Sequence, residues 1–266
     1  MSIGSEGVPI LMYHQVSETR PATFAKYTVT PSAFAAQMRW LASNGYATIG
    51  LRALMAHRRD GTPLPDRSVL ITFDDGFRDC AIHAAPVLRS HNFSATFFLV
   101  AGLMGGPGVW LRGERGIDPP LMSWADARAL EADGHHCASH TMTHPRLANA
   151  PEDVCRDELT RSREVLEEQL GHPVRELAYP FGSHSERVRA IAADCGYESA
   201  CTVEIGVSTA GDEPLALRRV PVLGTDSLLD FASRVRTAYT VRDRLRAFAR
   251  AMVGANRSRG VSEDNA

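Results

Sequence analysis

Ser68-Val69-Leu70-Ile71-Thr72-Phe73-Asp74-Asp75-Gly76 decides how the chain is read. It is an apolar strand that runs straight into two adjacent carboxylates and a glycine. Working outward, six more short apolar runs stand at 9–13, 94–99, 136–138, 176–178, 199–202 and 217–221. Between them lie stretches of helical period at 32–43, 79–90, 124–132, 151–170 and 185–195. Thr30-Pro31-Ser32 supplies an N-cap signal for the first, and Gly45, Asn92, Gly134, Gly171 and Gly196 follow the five helices as C-terminal caps. Strands alternating with helices mark a parallel α/β architecture. Seven strands suit a barrel better than an open sheet, so the expectation is a distorted (β/α) barrel in one domain spanning 8–235, after a short tail at 1–7.

A chain of 266 residues with 44% hydrophobic content can bury a sizeable core. The net charge of −2 gives no general drive toward nucleic acid. Cys80, Cys137, Cys155, Cys195 and Cys201 are odd in number and lack CxxC spacing, which reads as reduced core thiols. Residues 1–7 carry no basic region followed by an apolar run, and no stretch of ~18 apolar residues occurs, so a cytoplasmic protein is expected. From Arg234 to Arg259 there are eight arginines and one acid, Asp243. Apolar residues recur at helical spacing from Ser227 to Val253, beginning with Leu228, Phe231 and Val235, so a final helix is expected there, with 236–254 as a basic amphipathic helix and 255–266 as a disordered tail. The helix either packs on the barrel with a solvated face or makes a peripheral membrane contact.

The chemistry-bearing residues sit where strands end. At the C-terminal end of a barrel strand, Asp74 and Asp75 can point in different directions, one toward a metal and one toward a substrate. Alone, Asp-Asp-Gly is also an ordinary turn. Ser139-His140-Thr141-Met142-Thr143-His144 follows the strand at 136–138 and carries two histidines four apart, a spacing that one helical turn or a tight loop turns to one side. Alone, it could be two surface histidines. Two histidines and an aspartate that leave open positions suit a borderline divalent ion such as Zn2+. His14 ends the strand at 9–13 and is either functional or structural. Tyr179-Pro180-Phe181-Gly182 ends the strand at 176–178, either as a plain loop or as a turn aiming a backbone N–H inward. The glycine-rich stretch 102–116 is a long loop of the kind that borders sites, and Trp110 within it offers a stacking face or ordinary loop packing.

Taken in order, Thr72-Phe73-Asp74-Asp75-Gly76, then His140 and His144 in Ser-His-Thr-x-x-His, then Tyr179-Pro180-Phe181-Gly182 resemble the polysaccharide deacetylases of carbohydrate esterase family 4. The likeness covers roughly residues 8–235. It implies a distorted seven-stranded (β/α) barrel and a hydrolase acting on carbon–nitrogen bonds other than peptide bonds. It further implies Asp74 as general base, Asp75, His140 and His144 as ligands of a divalent metal (Zn2+ first, with Co2+, Ni2+ or Mn2+ as alternatives), and the Phe181 N–H as an oxyanion donor. Many members carry a Leu-x-His motif near the domain's end, whereas Leu217-Arg218-Arg219-Val220-Pro221 has no histidine. The branch resembling poly-N-acetylglucosamine deacetylases has a permuted order with a Met-x-Tyr-His-like motif, which Met12-Tyr13-His14 fits, so His14 takes the general-acid role.

The arginine that often precedes the Pro-aromatic motif is replaced by Ala178, and Arg218 or Arg219 could reach in from a neighbouring strand. Tyr179, Pro180, Trp110 and Arg219 are the expected substrate contacts. The expected reaction removes an N-acetyl group from an amino-sugar substrate: a glycan, oligosaccharide or lipid-linked sugar. Alternatives are a small aminoglycoside-like or nucleotide-linked metabolite, an O-acetyl ester on the same scaffold, or a non-enzymatic sugar-binding barrel.

Overall fold

The computed structural model describes residues 7–243. Ten strands appear in chain order: β1 (Ile10–Tyr13), β2 (Gln15–Val16), β3 (Thr28–Val29), β4 (Ala47–Thr48), β5 (Ser68–Phe73), β6 (Thr96–Leu99), β7 (His136–Ser139), β8 (Glu176–Ala178), β9 (Ser199–Ile205) and β10 (Leu217–Pro221). The seven apolar runs read from the sequence are β1 and β5 to β10. All pair in parallel, in the order β1-β10-β9-β8-β7-β6-β5. Closure comes from β1, whose Leu11 lies beside Val220 of β10 on one edge and Ile71 of β5 on the other. The result is a closed seven-stranded barrel. Strands β2 and β3 form a separate pair, and β4 adds two residues alongside Ser68 and Val69.

The helices are α1 (Pro31–Ser43), α2 (Leu51–Asp60), α3 (Ala85–Ser90), α4 (Trp110–Arg115), α5 (Trp124–Ala132), α6 (Glu152–Leu170), α7 (Glu186–Asp194) and α8 (Leu228–Thr237). Thr30 caps α1 by accepting from the Ala33 N–H, and Ser123 and Asp126 form a capping box on α5. Asn92 and the four expected cap glycines all take positive φ. The helix expected at 79–90 begins as a π turn, Cys80–Ala84, before α3. Within the expected loop 102–116, the structure forms α4. The helical spacing read from Ser227 appears as α8 with Ser227 as its N-cap, but this helix stops at Thr237, where Ala238 takes φ 67° as a left-handed cap, and does not run on unbroken through the stretch expected from 236. The rest of that expectation, from 244 on, and the 1–6 part of the expected N-terminal tail lie outside the described residues.

Period-two alternation decides what each strand sends inward. Ile10, Leu70, Phe98, Ala138, Ala178, Cys201 and Leu217, one from each barrel strand, form a single buried cluster filling the lumen, closed from below by Leu51 and Leu54 of α2. The alternate residues, among them Leu11, Ile71, Phe97 and Leu177, pack outward against the helices. All five cysteines are buried and free. Among the described residues no helix is long and apolar enough to cross a membrane.

Candidate metal centre

The lumen-facing series continues upward along the same alternation: Ile10-Met12-His14, Leu70-Thr72-Asp74, Ala138-His140 and Leu217-Arg219. Four strands thus send polar side chains into one end of the barrel. Asp74 is buried, and Arg219 donates to it from both ends of its fork, Nη1 to Oδ1 and Nη2 to Oδ2, each at 2.6 Å. The remaining donors of Arg219 reach the Thr202 carbonyl at 2.7 Å and the Thr72 hydroxyl at 3.2 Å. Burial pushes the Asp74 carboxyl up. The Arg219 charge and hydrogen bonds, with His140 and His14 behind them, outweigh burial and hold it below its ordinary value.

Asp75 breaks the alternation. Its φ of 74° puts it in the left-handed region and turns its carboxylate toward the loop after β7. There, Asp75 Oδ1 lies 3.0 Å from His144 Nε2 and 3.3 Å from His140 Nε2. His140 donates from Nδ1 to the Ala178 carbonyl at 2.7 Å, which orients the ring with its Nε2 toward Asp75. With Nδ1 engaged, Nε2 is the nitrogen through which this ring could ligate an ion beside Asp75. His144 Nδ1 is shielded and has no hydrogen-bond partner among the described residues. Burial lowers the His144 pKa, outweighing the pull of Asp75, so the ring is neutral and able to ligate. These three side chains therefore fit a divalent ion, and their ligand atoms lie within 4.8 Å of one another.

The loop holding the histidines is strained and tied down. Thr141 and His144 have φ of 65° and 67°, and Phe181 opposite has 57°. With Asp75, these are four of the six non-glycine residues at positive φ among those described, all at one end of the barrel. Such strain persists only where surrounding structure over-determines it. Here Glu158 of α6, itself buried, accepts from the Met142 and Thr143 N–H groups at 2.8 Å each and from the Thr143 hydroxyl. Glu158 is one of many acids on α6, and nothing in its local pattern singles it out.

Trp110 stacks on His144 with ring centroids 4.2 Å apart, and Phe181 meets the same imidazole edge-on at 4.5 Å. His14 is partly exposed at the end of β1, against Tyr27, and its charge lowers the pKa of both Asp74 and Asp75. The substrate contacts expected of Tyr179, Pro180 and Arg219 require correction. Ala178 faces the lumen, so Tyr179 alternates outward, fully buried against α7, with its hydroxyl donating to the Leu215 carbonyl. Pro180 is buried in the turn that follows. Arg219 has no exposed surface; of the two arginines expected to reach in where Ala178 replaces the usual one, it is Arg219 that grips Asp74. Arg218, its neighbour, pairs with Asp212.

The sequence profile described as polysaccharide deacetylase matches residues 61–200, more than half of the chain. The chain belongs to the polysaccharide deacetylase family. YxkH of Bacillus subtilis (strain 168) is 28% identical over 216 residues, covering 81% of this chain and 71% of that one. The poly-beta-1,6-N-acetyl-D-glucosamine N-deacetylase of Escherichia coli (strain K12) is 23% identical over 262 residues, covering 87% of this chain, which spans only 39% of that relative. Among solved structures, the Streptococcus pyogenes deacetylase PplD in complex with acetate superposes with a TM-score of 0.75 at 25% identity, over 85% of this chain and 97% of that one.

Proposed function

We propose that this polysaccharide deacetylase family member removes the N-acetyl group from an amino-sugar substrate, using a divalent metal. The observation that carries the reading is a buried carboxylate, Asp74, kept ionised by Arg219 beside a second carboxylate and two histidines whose ligand atoms converge within 4.8 Å. The relative named for N-deacetylation of a poly-N-acetylglucosamine and the structural neighbour holding acetate support the class.

In this reading Asp75, His140 and His144 hold the ion, Zn2+ first. Bound there, it would supply Lewis-acid polarisation of the acetamide carbonyl and acidify water. Asp74 takes the proton from the attacking water as the water oxygen adds to the carbonyl carbon. The Phe181 N–H donates to the oxygen on which charge develops. His14 gives its proton to the nitrogen as the C–N bond breaks, because an unprotonated amine anion is a very poor leaving group. Acetate and a free amino sugar result. Trp110 holds the His144 ring in place and forms one wall of the site.

Metal content and acetate release, measured together on N-acetylglucosamine oligomers and on O-acetylated controls, test this. Wild type should release acetate, Asp75→Ala should lose activity together with an ion, and His14→Ala should keep the ion but lose activity by ~10²–10⁴. Binding of metal without acetate release from any N-acetyl sugar would overturn the substrate class. Metal stoichiometry unchanged by Asp75→Ala would overturn the site.

A further inference from the structure

At the opposite end of the barrel stands a second group of ligand-type side chains that the reaction does not use. Glu131 lies in the last turn of α5, His136 opens β7, and His172 precedes β8. His136 and His140 are four residues apart along one strand direction, so the two groups are separated by about 13 Å.

The hydrogen bonds fix both tautomers. His172 donates from Nδ1 to the Pro173 carbonyl at 3.2 Å, and His136 donates from Nε2 to the Glu176 carboxylate at 3.1 Å. The other nitrogen of each ring is then the one open to a ligand. Both of these nitrogens face one oxygen: His172 Nε2 lies 3.3 Å and His136 Nδ1 3.6 Å from Glu131 Oε1. His172 Nε2 is shielded from solvent and has no hydrogen-bond partner among the described residues. The three ligand atoms lie within 4.8 Å of one another, a convergence that an ion or a shared proton satisfies.

We propose that Glu131, His136 and His172 bind a divalent transition-metal ion, zinc above all, as a second site that clasps α5, β7 and the connection into β8. Two ligand atoms on a tetrahedral zinc at about 2.0–2.1 Å are about 3.4 Å apart, which matches the two spacings to Glu131. Imidazole nitrogen with a single carboxylate selects zinc, cobalt or nickel over magnesium and calcium. The surroundings are those of ligating histidines. Glu176 accepts the distal His136 N–H and is itself buried and fixed by Arg52 at 3.0 Å, a carboxylate–histidine arrangement that sets ring orientation. Glu131 Oε1 also accepts from the Cys137 N–H at 2.6 Å, which fixes its position and leaves its other lone pair free. The two imidazoles stack with centroids 5.6 Å apart. Partial exposure of all three side chains leaves a path for the ion and a position for water.

The test is cobalt binding to the full chain by equilibrium dialysis, with circular dichroism to verify folding. Wild type should take up two ions, His172→Gln one and Asp75→Ala one, with a Co2+ visible absorption band surviving in each single variant. Acetate release by His172→Gln should stay at the wild-type rate, and the rise in melting temperature on adding zinc to Asp75→Ala should vanish when His172→Gln is added. Uptake by His172→Gln equal to wild type, or no uptake by Asp75→Ala, would overturn the second site and leave the group as an ion pair with a protonated imidazole. Wild type taking one ion that His172→Gln alone abolishes would instead uphold this site and remove the metal from the proposed function.

Discussion

Arg219 grips Asp74 through both carboxylate oxygens at 2.6 Å, across the barrel from β10 to the end of β5, with neither residue appreciably exposed. The pair is a fork-to-fork ion pair, in which planarity matters as much as charge.

Replacing Arg219 should therefore be severe even by lysine, which brings one point charge in place of the fork. Arg219→Met strands a buried carboxylate and should cost ~3–5 kcal/mol, whereas the same change in an Asp74→Asn background should cost much less. Burial then acts on Asp74 with only His140 and His14 opposing it, so its pKa rises. In Arg219→Lys, which keeps part of the charge, the acid limb of the rate profile should move to higher pH with a lowered plateau. Urea denaturation of the four-variant cycle and a pH series of acetate release measure both effects. An unmoved acid limb would refute the orienting role.

The loop between β7 and α6 should depend on Glu158. Its carboxylate satisfies two N–H groups and a hydroxyl beneath the left-handed Thr141 and His144. Glu158→Ala leaves those donors unpaired at ~1–3 kcal/mol and frees the strained loop to relax. We expect zinc affinity at the Asp75 site to fall by about 10–100-fold, the usual cost of removing a group that orients ligands. Competition with a chromophoric chelator, in a His172→Gln background, reads that site alone.

The barrel is legible in the sequence because each strand is a short apolar run closed by turn residues, and because Asn92 and four glycines mark helix ends. Helix α2 is not: Arg58, Arg59 and Asp60 make its second half polar, and only Leu51 and Leu54 are buried, with Met55 packing partly exposed beside them. Asp75, His140 and His144 can be picked out by spacing, since chemistry restricts the residue types. The direction in which a side chain faces cannot. Standing after a strand makes Tyr179 look like a substrate contact, and an arginine within a strand, Arg219, reads equally as a substrate contact or as a partner of the base. Their direction follows from whole-barrel alternation and from a register shift between Leu217 and Arg219, neither of which is a local property. Glu158 acts through a fold-dependent contact sixteen residues away in sequence from Met142.

Stability should change with pH through Asp79. Burial raises its pKa from 3.8 to about 6, outweighing hydrogen bonds from Gln15 and from the Cys80 thiol and the Val16 and Cys80 N–H groups. The folded chain therefore holds this proton more tightly than the unfolded chain does. The stabilising contribution is complete below about pH 3.8 and is lost as pH rises through 6. Asp79→Asn, which keeps an acceptor without the charge, should be more stable than wild type at pH 7.5, with the difference shrinking toward pH 4. Guanidinium melts at several pH values follow the gap, and a constant gap would refute the shift.

Gly102 connects the glycine-rich loop to the histidine loop by close approach. Its N–H donates to the Met142 carbonyl at 2.9 Å, and a Cβ at Gly102 would lie 2.6 Å from that same oxygen. A methyl group there cannot be relieved by rotating a side chain, because the obstacle is backbone. Backbone movement in Met142 is passed to His140 and His144 on either side of it. Gly102→Ala should therefore retain the fold yet lose zinc affinity at the Asp75 site. Gly113, within α4, has open space where a methyl would stand, so Gly113→Ala should stabilise by ~0.5–1 kcal/mol with zinc affinity unchanged. Melting temperature and chelator competition on the two variants separate the effects: equal zinc affinity in both would mean that the Gly102 contact does not position the histidines.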